Sequence, residues 1–309
     1  MKISVVSPVY MAENIIEELV KRVSDELKLL TSDFEIILVD DCGPDDSWNE
    51  IKKQCKLNSF VKGIKLSRNF GQHNAVSAGL EFSKGNIIVL MDCDLQDDPK
   101  HIKSLLEYYE KGNEIVFTKR IGRKHNLFKN ITAKIYNAIF NILSDKNYDL
   151  NVGSLVIFSE RVKNEFINLK EHDKLYIQGL KWLGFKHTYV SVEHRERHSG
   201  ASSYTLPKLI NLAIQGWVSN SEKLLYLSIK LGLLFSSMSV LAIIIIVLNY
   251  FKHGYQNGWP SLISAILLST GLILTSLGII GIYIGKIITE ARDRPKYVID
   301  KKINLKYEK

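Results

Sequence analysis

The first 200 residues alternate between short runs of apolar, often β-branched residues and longer stretches in which apolar residues recur every three or four positions. The short runs, Ile3–Ser7, Glu35–Val39, Val61–Leu66, Ile87–Met91, Ile115–Thr118, Leu155–Phe158 and Thr188–Val192, read as strands. Periodic stretches between them, among them Glu13–Leu30, Gln72–Ser83 and Pro99–Lys111, read as helices. Strands that alternate with helices predict βαβ units and a mainly parallel α/β sheet. In such a sheet a ligand binds beyond the carboxyl ends of the strands.

After residue 200 the pattern changes. Leu231 to Phe251, 21 residues, and Gly254 to Gly285, 32 residues, carry no charge. At about 1.5 Å per residue, each can cross a hydrocarbon core of about 30 Å. Buried helices of a soluble protein rarely run so long without a charge. The expectation is a C-terminal two-helix transmembrane hairpin within 224–286, with spans at about 229–251 and 260–285 and a polar turn, Lys252–Gly258, between them. Gly278, Gly281 and Gly285 fall on one face of the second span, which predicts close packing against Gly232, Ser236 and Ser239 of the first. Upstream, Leu206, Leu209, Ile210, Ala213, Ile214, Trp217 and Val218 recur at helical spacing with Asn211, Gln215 and Asn220 among them. That pattern fits an amphipathic juxtamembrane helix over 206–223, or a core helix of the soluble domain.

The chain has 309 residues, 46% hydrophobic and 24% charged, so a packed core is expected rather than disorder. The organisation predicted is a domain over 1–205, the amphipathic helix, the two spans and a basic tail over 287–309. The net charge of +8 suits anionic lipid or a phosphorylated substrate, and no nucleic-acid partner is expected. Lys286, Arg292, Arg294, Lys296, Lys301, Lys302, Lys306 and Lys309 crowd the end, whereas the turn between the spans has only Lys252 and His253. The positive-inside rule then puts the tail and the N-terminal domain in the cytosol, giving a multi-pass protein of the inner (plasma) membrane. Met1–Val9 is too short for a signal peptide, and Glu13, Glu17 and Glu18 follow it. Cys42, Cys55 and Cys93 form no CxxC pair and fit a reducing compartment.

The chemistry-bearing residues collect where strands end. Asp40 and Asp41 close the second strand, ahead of the turn Cys42-Gly43-Pro44-Asp45-Asp46. Carboxylates there can accept hydrogen bonds from a nucleobase or ribose, although Asp and Gly are also ordinary turn residues. Asp92-Cys93-Asp94 closes the fourth strand, with Gln96, Asp97 and Asp98 next and Pro99 starting a helix. In an extended chain residues i and i+2 point the same way, so Asp92 and Asp94 can share one hard cation, Mg²⁺ or Mn²⁺. Arg68 follows the third strand, Lys119, Arg120 and Arg123 the fifth, and Arg195 and Arg197 the seventh. A guanidinium fork suits phosphate oxygens. No GxxxxGK[ST], GxSxG or helix-opening GxGxxG occurs, and His194-Arg195-Glu196-Arg197-His198 lacks the glutamate placement of a zinc HExxH.

Taken together these segments resemble the family 2 glycosyltransferases, specifically the polyprenyl-phosphate sugar transferases of the dolichol-phosphate mannose synthase and bactoprenol glucosyltransferase type. The resemblance covers nearly the whole chain. Ser7-Pro8-Val9-Tyr10-Met11-Ala12-Glu13-Asn14 is similar to a P-x-Y-N-E-E opening, from which Met11 and Ala12 depart. Val39-Asp40-Asp41-Cys42-Gly43-Pro44-Asp45 resembles V-D-D-G-S-x-D, and Arg68-Asn69-Phe70-Gly71 resembles R-N-x-G. Asp92 to Pro99 resembles D-x-D-L-Q-x-x-P, the most specific match, and Arg197 to Tyr204 resembles R-x-x-G-x-S-x-Y.

The resemblance implies a GT-A fold, a nucleoside-diphosphate sugar donor and inversion at the anomeric carbon. It implies nucleotide-sugar contacts from Pro8, Tyr10, Glu13, Asp40, Asp41, Arg68 and Asp92, with Asp41 reading the base. Asp92, Asp94 and Gln96 would hold the cation. Arg120, Arg123, Arg197, Ser202 and Tyr204 would meet phosphate or acceptor. One departure stands out: Gly153-Ser154-Leu155-Val156 replaces a G-D-F-R stretch, so the carboxylate proposed as base in some relatives is missing at Ser154. Asp97 and Asp98 are the substitutes, with Arg197 as the third catalytic candidate. The leading expectation is transfer of a sugar to a polyprenyl phosphate on the membrane. The alternatives are transfer to a hydroxyl of a carrier-linked glycan and a non-catalytic nucleotide-sugar-binding scaffold. A homo-oligomer is left open.

Overall fold

The computed structural model describes residues 1–121, 152–171, 175–193, 223–253 and 258–305. In chain order they form β1 (Lys2–Val9), α1 (Ile16–Lys28), β2 (Asp33–Asp40), α2 (Ser47–Leu57), β3 (Val61–Leu66), α3 (Gln72–Glu81), β4 (Ile87–Leu90), α4 (His101–Glu110), β5 (Ile115–Ile121) and β6 (Val152–Ser159). Then follow α5 (Glu160–Asn168), α6 (Tyr176–Trp182), β7 (His187–Glu193), α7 (Lys223–His253), α8 (Trp259–Ala291) and β8 (Ile299–Ile303). By internal contacts the chain divides into two compact units, 1–125 with 149–202 and 294–309, and 126–148 with 203–293.

The first unit holds one eight-stranded sheet in the order β7-β5-β6-β4-β1-β2-β3-β8. Its central strands are apolar at successive positions because helices cover both faces. Ile36 and Leu38 pack into the core on one face, Ile37 and Val39 into the core on the other, and all four are fully buried. α3 lies very close to the sheet: a Cβ on Gly79 would fall 2.3 Å from Val6 Cγ1.

The sheet is mixed, which corrects the expectation of a mainly parallel one. β4, β1, β2 and β3 run parallel to their neighbours in that set. β6 enters antiparallel between β4 and β5, and β8 runs antiparallel to β3. Periodicity reports what an element is, not which way it runs. The stretch read above as a basic tail thus contains a strand, and that strand completes the sheet beyond β3.

In the second unit α7 and α8 are helices of 31 and 33 residues; α7 contains the first charge-free stretch and α8 the second from Trp259 onward. Among the described residues, Leu268–Ala291 is long and apolar enough to cross a membrane, at 24 residues and a mean hydropathy of 1.9. Among the described residues, a Cβ added at Gly232, Gly278, Gly281 or Gly285 would meet nothing within 4 Å, and the side chains of Ser236 and Ser239, the other expected partners, lie outside the described ones. The amphipathic segment 206–222 lies outside the described residues.

Candidate active site

Four loops leave the carboxyl ends of β1, β2, β3 and β4, which are neighbours in the sheet. Each contains a residue in the left-handed region: Met11 (φ 53°), Cys42 (φ 54°), Gly71 (φ 91°) and Leu95 (φ 54°). For a non-glycine residue that conformation costs about 1 kcal/mol or more and persists only where the surroundings hold it. The hydrogen bonds among the loops supply that hold.

The first two loops interlock. Ala12 N donates to Ser47 Oγ at 3.0 Å and Glu13 N to Asp45 Oδ2 at 3.1 Å, while Asp46 N returns a bond to Glu13 Oε2 at 2.8 Å. Gly43 fits between them because a Cβ there would lie 2.7 Å from Asp45 Oδ1 and 3.1 Å from Met11 N. Pro8 is buried in β1 opposite Val39, whereas Tyr10 is 47% exposed at the lip of its loop. Glu13 therefore fastens one loop to the next.

Asp41 joins the second loop to the third. Its Oδ1 accepts from Phe70 N at 2.7 Å and its Oδ2 from Gly71 N at 2.9 Å. Asp40 accepts from Gly43 N at 3.4 Å. Both carboxyls are buried, and burial pushes their pKa above the usual carboxylate range, with the Phe70 and Gly71 amides working against it at Asp41. Each Asp41 oxygen keeps lone-pair capacity beyond the one amide it holds. Arg68 is exposed and stacks its guanidinium 4.2 Å from the Phe70 ring centre.

The third loop in turn reaches the fourth. Gln72, the first residue of α3, donates from Nε2 to Asp92 Oδ1 at 2.6 Å. Asp94 Oδ1 accepts from Gln96 N at 3.1 Å. Leu95 is 4% exposed, so it anchors the loop in the core while Asp92, Asp94 and Gln96 keep partial access to solvent. The Cys93 thiol is pushed up to about 12 by burial and then by Asp92 and Asp94, so it stays protonated and packs inward.

Asp97 and Asp98 take different positions. Asp97 is 4% exposed, and its Oδ2 accepts from Ser154 Oγ at 2.8 Å, Ser154 N at 3.1 Å and Leu155 N at 3.2 Å. With three donors on one oxygen, the buried Asp97 carboxylate anchors the start of β6. Asp98 Oδ1 accepts from Lys100 N at 3.1 Å, and its Oδ2 lies 3.8 Å from Lys100 Nζ, which braces the turn leading into α4. The sequence reading that placed Asp97 and Asp98 as substitutes for a base at Ser154 meets this geometry: the Asp97 carboxylate bonds to Ser154 itself.

Two partly accessible carboxylates with an amide oxygen nearby suit Mg²⁺ or Mn²⁺, which commonly takes one or two carboxylates and fills its shell with substrate phosphate. A closed zinc site needs more protein ligands. Among the described residues no three His, Cys, Asp or Glu side chains gather in that way. Arg120 lies on β5 opposite Val192 of β7. Arg123, Arg197, Ser202 and Tyr204 lie outside the described residues. The contributions of Gln72, the Phe70 and Gly71 amides and Ser154 were not legible in the sequence. Only the alternation of Tyr297, Ile299, Ile303 and Leu305 hinted at a strand in the tail.

In an α/β domain of this kind, strand-end loops that knit two acidic segments together mark the place where a ligand binds. The sequence profile described as Glycosyl transferase family 2 matches residues 4–170. The chain belongs to that family and is a glycosyltransferase. It is 35% identical over 301 residues to the uncharacterized glycosyltransferase YkcC of Bacillus subtilis (strain 168), covering 96% of this chain and 93% of that protein. It is 33% identical over 304 residues to the bactoprenol glucosyl transferase of Shigella phage SfII, covering 97% of this chain and 98% of that protein. A solved structure of glucosyl-3-phosphoglycerate synthase from Mycobacterium tuberculosis, in complex with Mn²⁺, uridine diphosphate and phosphoglyceric acid, is 17% identical with a TM-score of 0.47, covering 70% of this chain and 76% of that one.

Proposed function

We propose that the chain moves a sugar, with inversion, from a nucleoside-diphosphate sugar to a membrane polyprenyl phosphate at the cytosolic face of the plasma membrane. The relatives named as bactoprenol glucosyl transferases support this acceptor. The apolar helices α7 and α8 support a two-span membrane anchor that keeps the domain beside its lipid substrate.

In the mechanism, the loops after β1, β2 and β3 hold the nucleotide, with Tyr10, Asp40, Asp41 and Arg68 as its contacts. Asp92 and Asp94, with Gln96, would hold Mg²⁺ or Mn²⁺, which when bound supplies Lewis-acid relief of charge on the departing diphosphate. An oxygen of the lipid phosphate attacks the anomeric carbon, and the bond from that carbon to the donor diphosphate breaks with its electron pair. Arg120, Arg123 and Arg197 hold phosphates of donor and acceptor, and Ser202 and Tyr204 complete the acceptor side. Asp97 positions β6, and Asp98 braces the turn before α4.

The observation that carries the choice of acceptor is the Asp97–Ser154 contact. A phosphate monoester has a second pKa of about 6 and is already a dianion at neutral pH, so it attacks without a base. A sugar hydroxyl needs a positioned carboxylate. Asp97, the substitute for the carboxylate missing at Ser154, instead holds the Ser154 hydroxyl and the Ser154 and Leu155 amides on one oxygen. The test is incubation of the purified protein with labelled nucleotide sugars and polyprenyl phosphate, followed by lipid extraction. Label in an acid-labile lipid phosphate sugar is expected. Label that enters only a preformed carrier-linked glycan would overturn the acceptor assignment.

A further inference from the structure

The tail beyond α8 does more than complete the sheet, because its bonds run to both ends of the element pair that builds the donor site. Tyr297 donates its hydroxyl to Glu81, the last residue of α3. Lys302 Nζ sits 4.0 Å from the ring centre of Phe82, which caps the same helix. At the other end of α3 stands Gln72, the residue that holds Asp92. β8 pairs with β3 through Lys65↔Lys301 and, past a register shift, Leu66↔Ile299. One residue further on, Ser67 N donates to Val298 O at 2.9 Å. Ser67 is the start of the loop whose Phe70 and Gly71 amides grip Asp41. The strand is itself locked at its far end by Asn304 Nδ2, which donates to Cys55 O and Val61 O at 2.8 Å each.

We propose that the C-terminal segment 296–304 is a positioning element of the donor site, which sets the Arg68–Gly71 loop through Val298 and the Gln72–Asp92 contact through α3. The proposal rests on reading that loop as part of the nucleotide-sugar site. Tyr297 and Asn304 are positioning residues: they touch neither sugar nor nucleotide and act through β3 and α3. A loop bonded to Asp41 at one end and unsupported at the other would sample more conformations, and a nucleotide would have to order it on binding. Loss of the clasp therefore weakens donor binding and leaves the acceptor side alone.

The experiment uses the full chain in detergent, with Tyr297→Phe and Asn304→Ala singly and together. Phenylalanine keeps the ring packing of Tyr297 and removes only the hydroxyl. Amide hydrogen exchange is followed over residues 67–72 with and without a panel of UDP, GDP and dTDP, each with Mn²⁺, and donor and acceptor KM are measured apart from kcat. In the parent protein one of the nucleotides is expected to slow exchange at 67–72. In the double variant exchange at 67–72 is expected to rise without ligand. Donor KM is expected to rise about three- to tenfold, the effect of losing one or two hydrogen bonds, with acceptor KM unchanged. A variant that melts earlier yet keeps parental exchange at 67–72 and parental donor KM overturns the proposal and leaves β8 a purely structural strand. If no nucleotide protects 67–72 in the parent, the donor-site reading fails first, and the proposal with it.

Discussion

At the scale of single residues, two carboxylates allow opposite uses of charge to be told apart. Asp94 offers a carboxylate on a loop held by Leu95 and Gln96, so Asp94→Asn changes charge and hardly changes shape. Turnover is expected to vanish while the melting temperature stays within a degree or two of the parent, and EDTA is expected to mimic the variant. Full activity in EDTA removes Asp92 and Asp94 from any metal role. Glu35, at the opposite end of the sheet, is 3% exposed and accepts from Ser4 Oγ at 2.5 Å, Lys84 N at 2.6 Å and the Lys62 ammonium. Burial alone would raise its carboxyl pKa, but Lys62, Ser4 and the Lys84 amide outweigh burial and hold it below the ordinary value. A depressed folded pKa gives stability that is complete above the unfolded value of about 4.3 and is lost as pH falls through the folded one. Glu35→Gln is expected to cost about 1–3 kcal/mol at pH 7 and to flatten the acid limb of a stability profile below about pH 5. Parallel acid limbs for parent and variant would show that other groups govern acid unfolding.

At the scale of elements, the tail strand decides what a truncation can mean. Cutting after Asn220 removes β8 along with α7 and α8, and it leaves β3 as an open sheet edge. Unpaired edges of this kind recruit other chains. The cut protein is expected to self-associate in size-exclusion chromatography, and a peptide of residues 294–309 added in trans is expected to restore a monomer that binds nucleotide. A cut chain that is monomeric without the peptide would show that β3 tolerates its bare edge. The same strand marks the limit of what the sequence conveyed. All seven strands read from apolar runs are present: the central strands, buried on both faces, are largely apolar, and β7 at the sheet edge shows in the alternation of buried Val190 and Val192 with polar residues. β8 was hidden by Asp300, Lys301 and Lys302, whose charges suit a partly exposed edge strand and equally suit a basic tail. The direction of β6 was invisible for a different reason, since an antiparallel insertion leaves no trace in periodicity. At the site, the acidic residues were legible by type and spacing. Their partners Gln72, Phe70, Gly71 and Ser154 were not, because a backbone amide or a lone serine carries no signal until a fold brings it to a carboxylate.

At the scale of the whole molecule, the proposed function joins a nucleotide site to a lipid, and Arg197 is where that joint is expected to be read. Arg197→Ala is expected to raise the apparent KM for polyprenyl phosphate about ten- to a hundredfold, equivalent to about 1.5–3 kcal/mol, and to change donor KM much less. Arg197→Lys is expected to recover only part of the loss, because an ammonium lacks the bidentate fork. An equal rise for both substrates would move Arg197 to the donor diphosphate. The order of the chain adds a constraint of another kind. Asn304 bonds to Val61 across 243 residues of sequence, and everything between them, α7 and α8 included, must be synthesised first. At about 5–20 residues per second, β3 waits on the order of ten to fifty seconds after leaving the ribosome before its neighbour exists. During translation the enzyme is therefore an unfinished sheet, and its apolar helices have emerged before the sheet is complete. A ribosome that stalls within α8 releases a chain with every acidic site residue present and its edge still bare, a substrate for proteases and chaperones more than a partly working transferase.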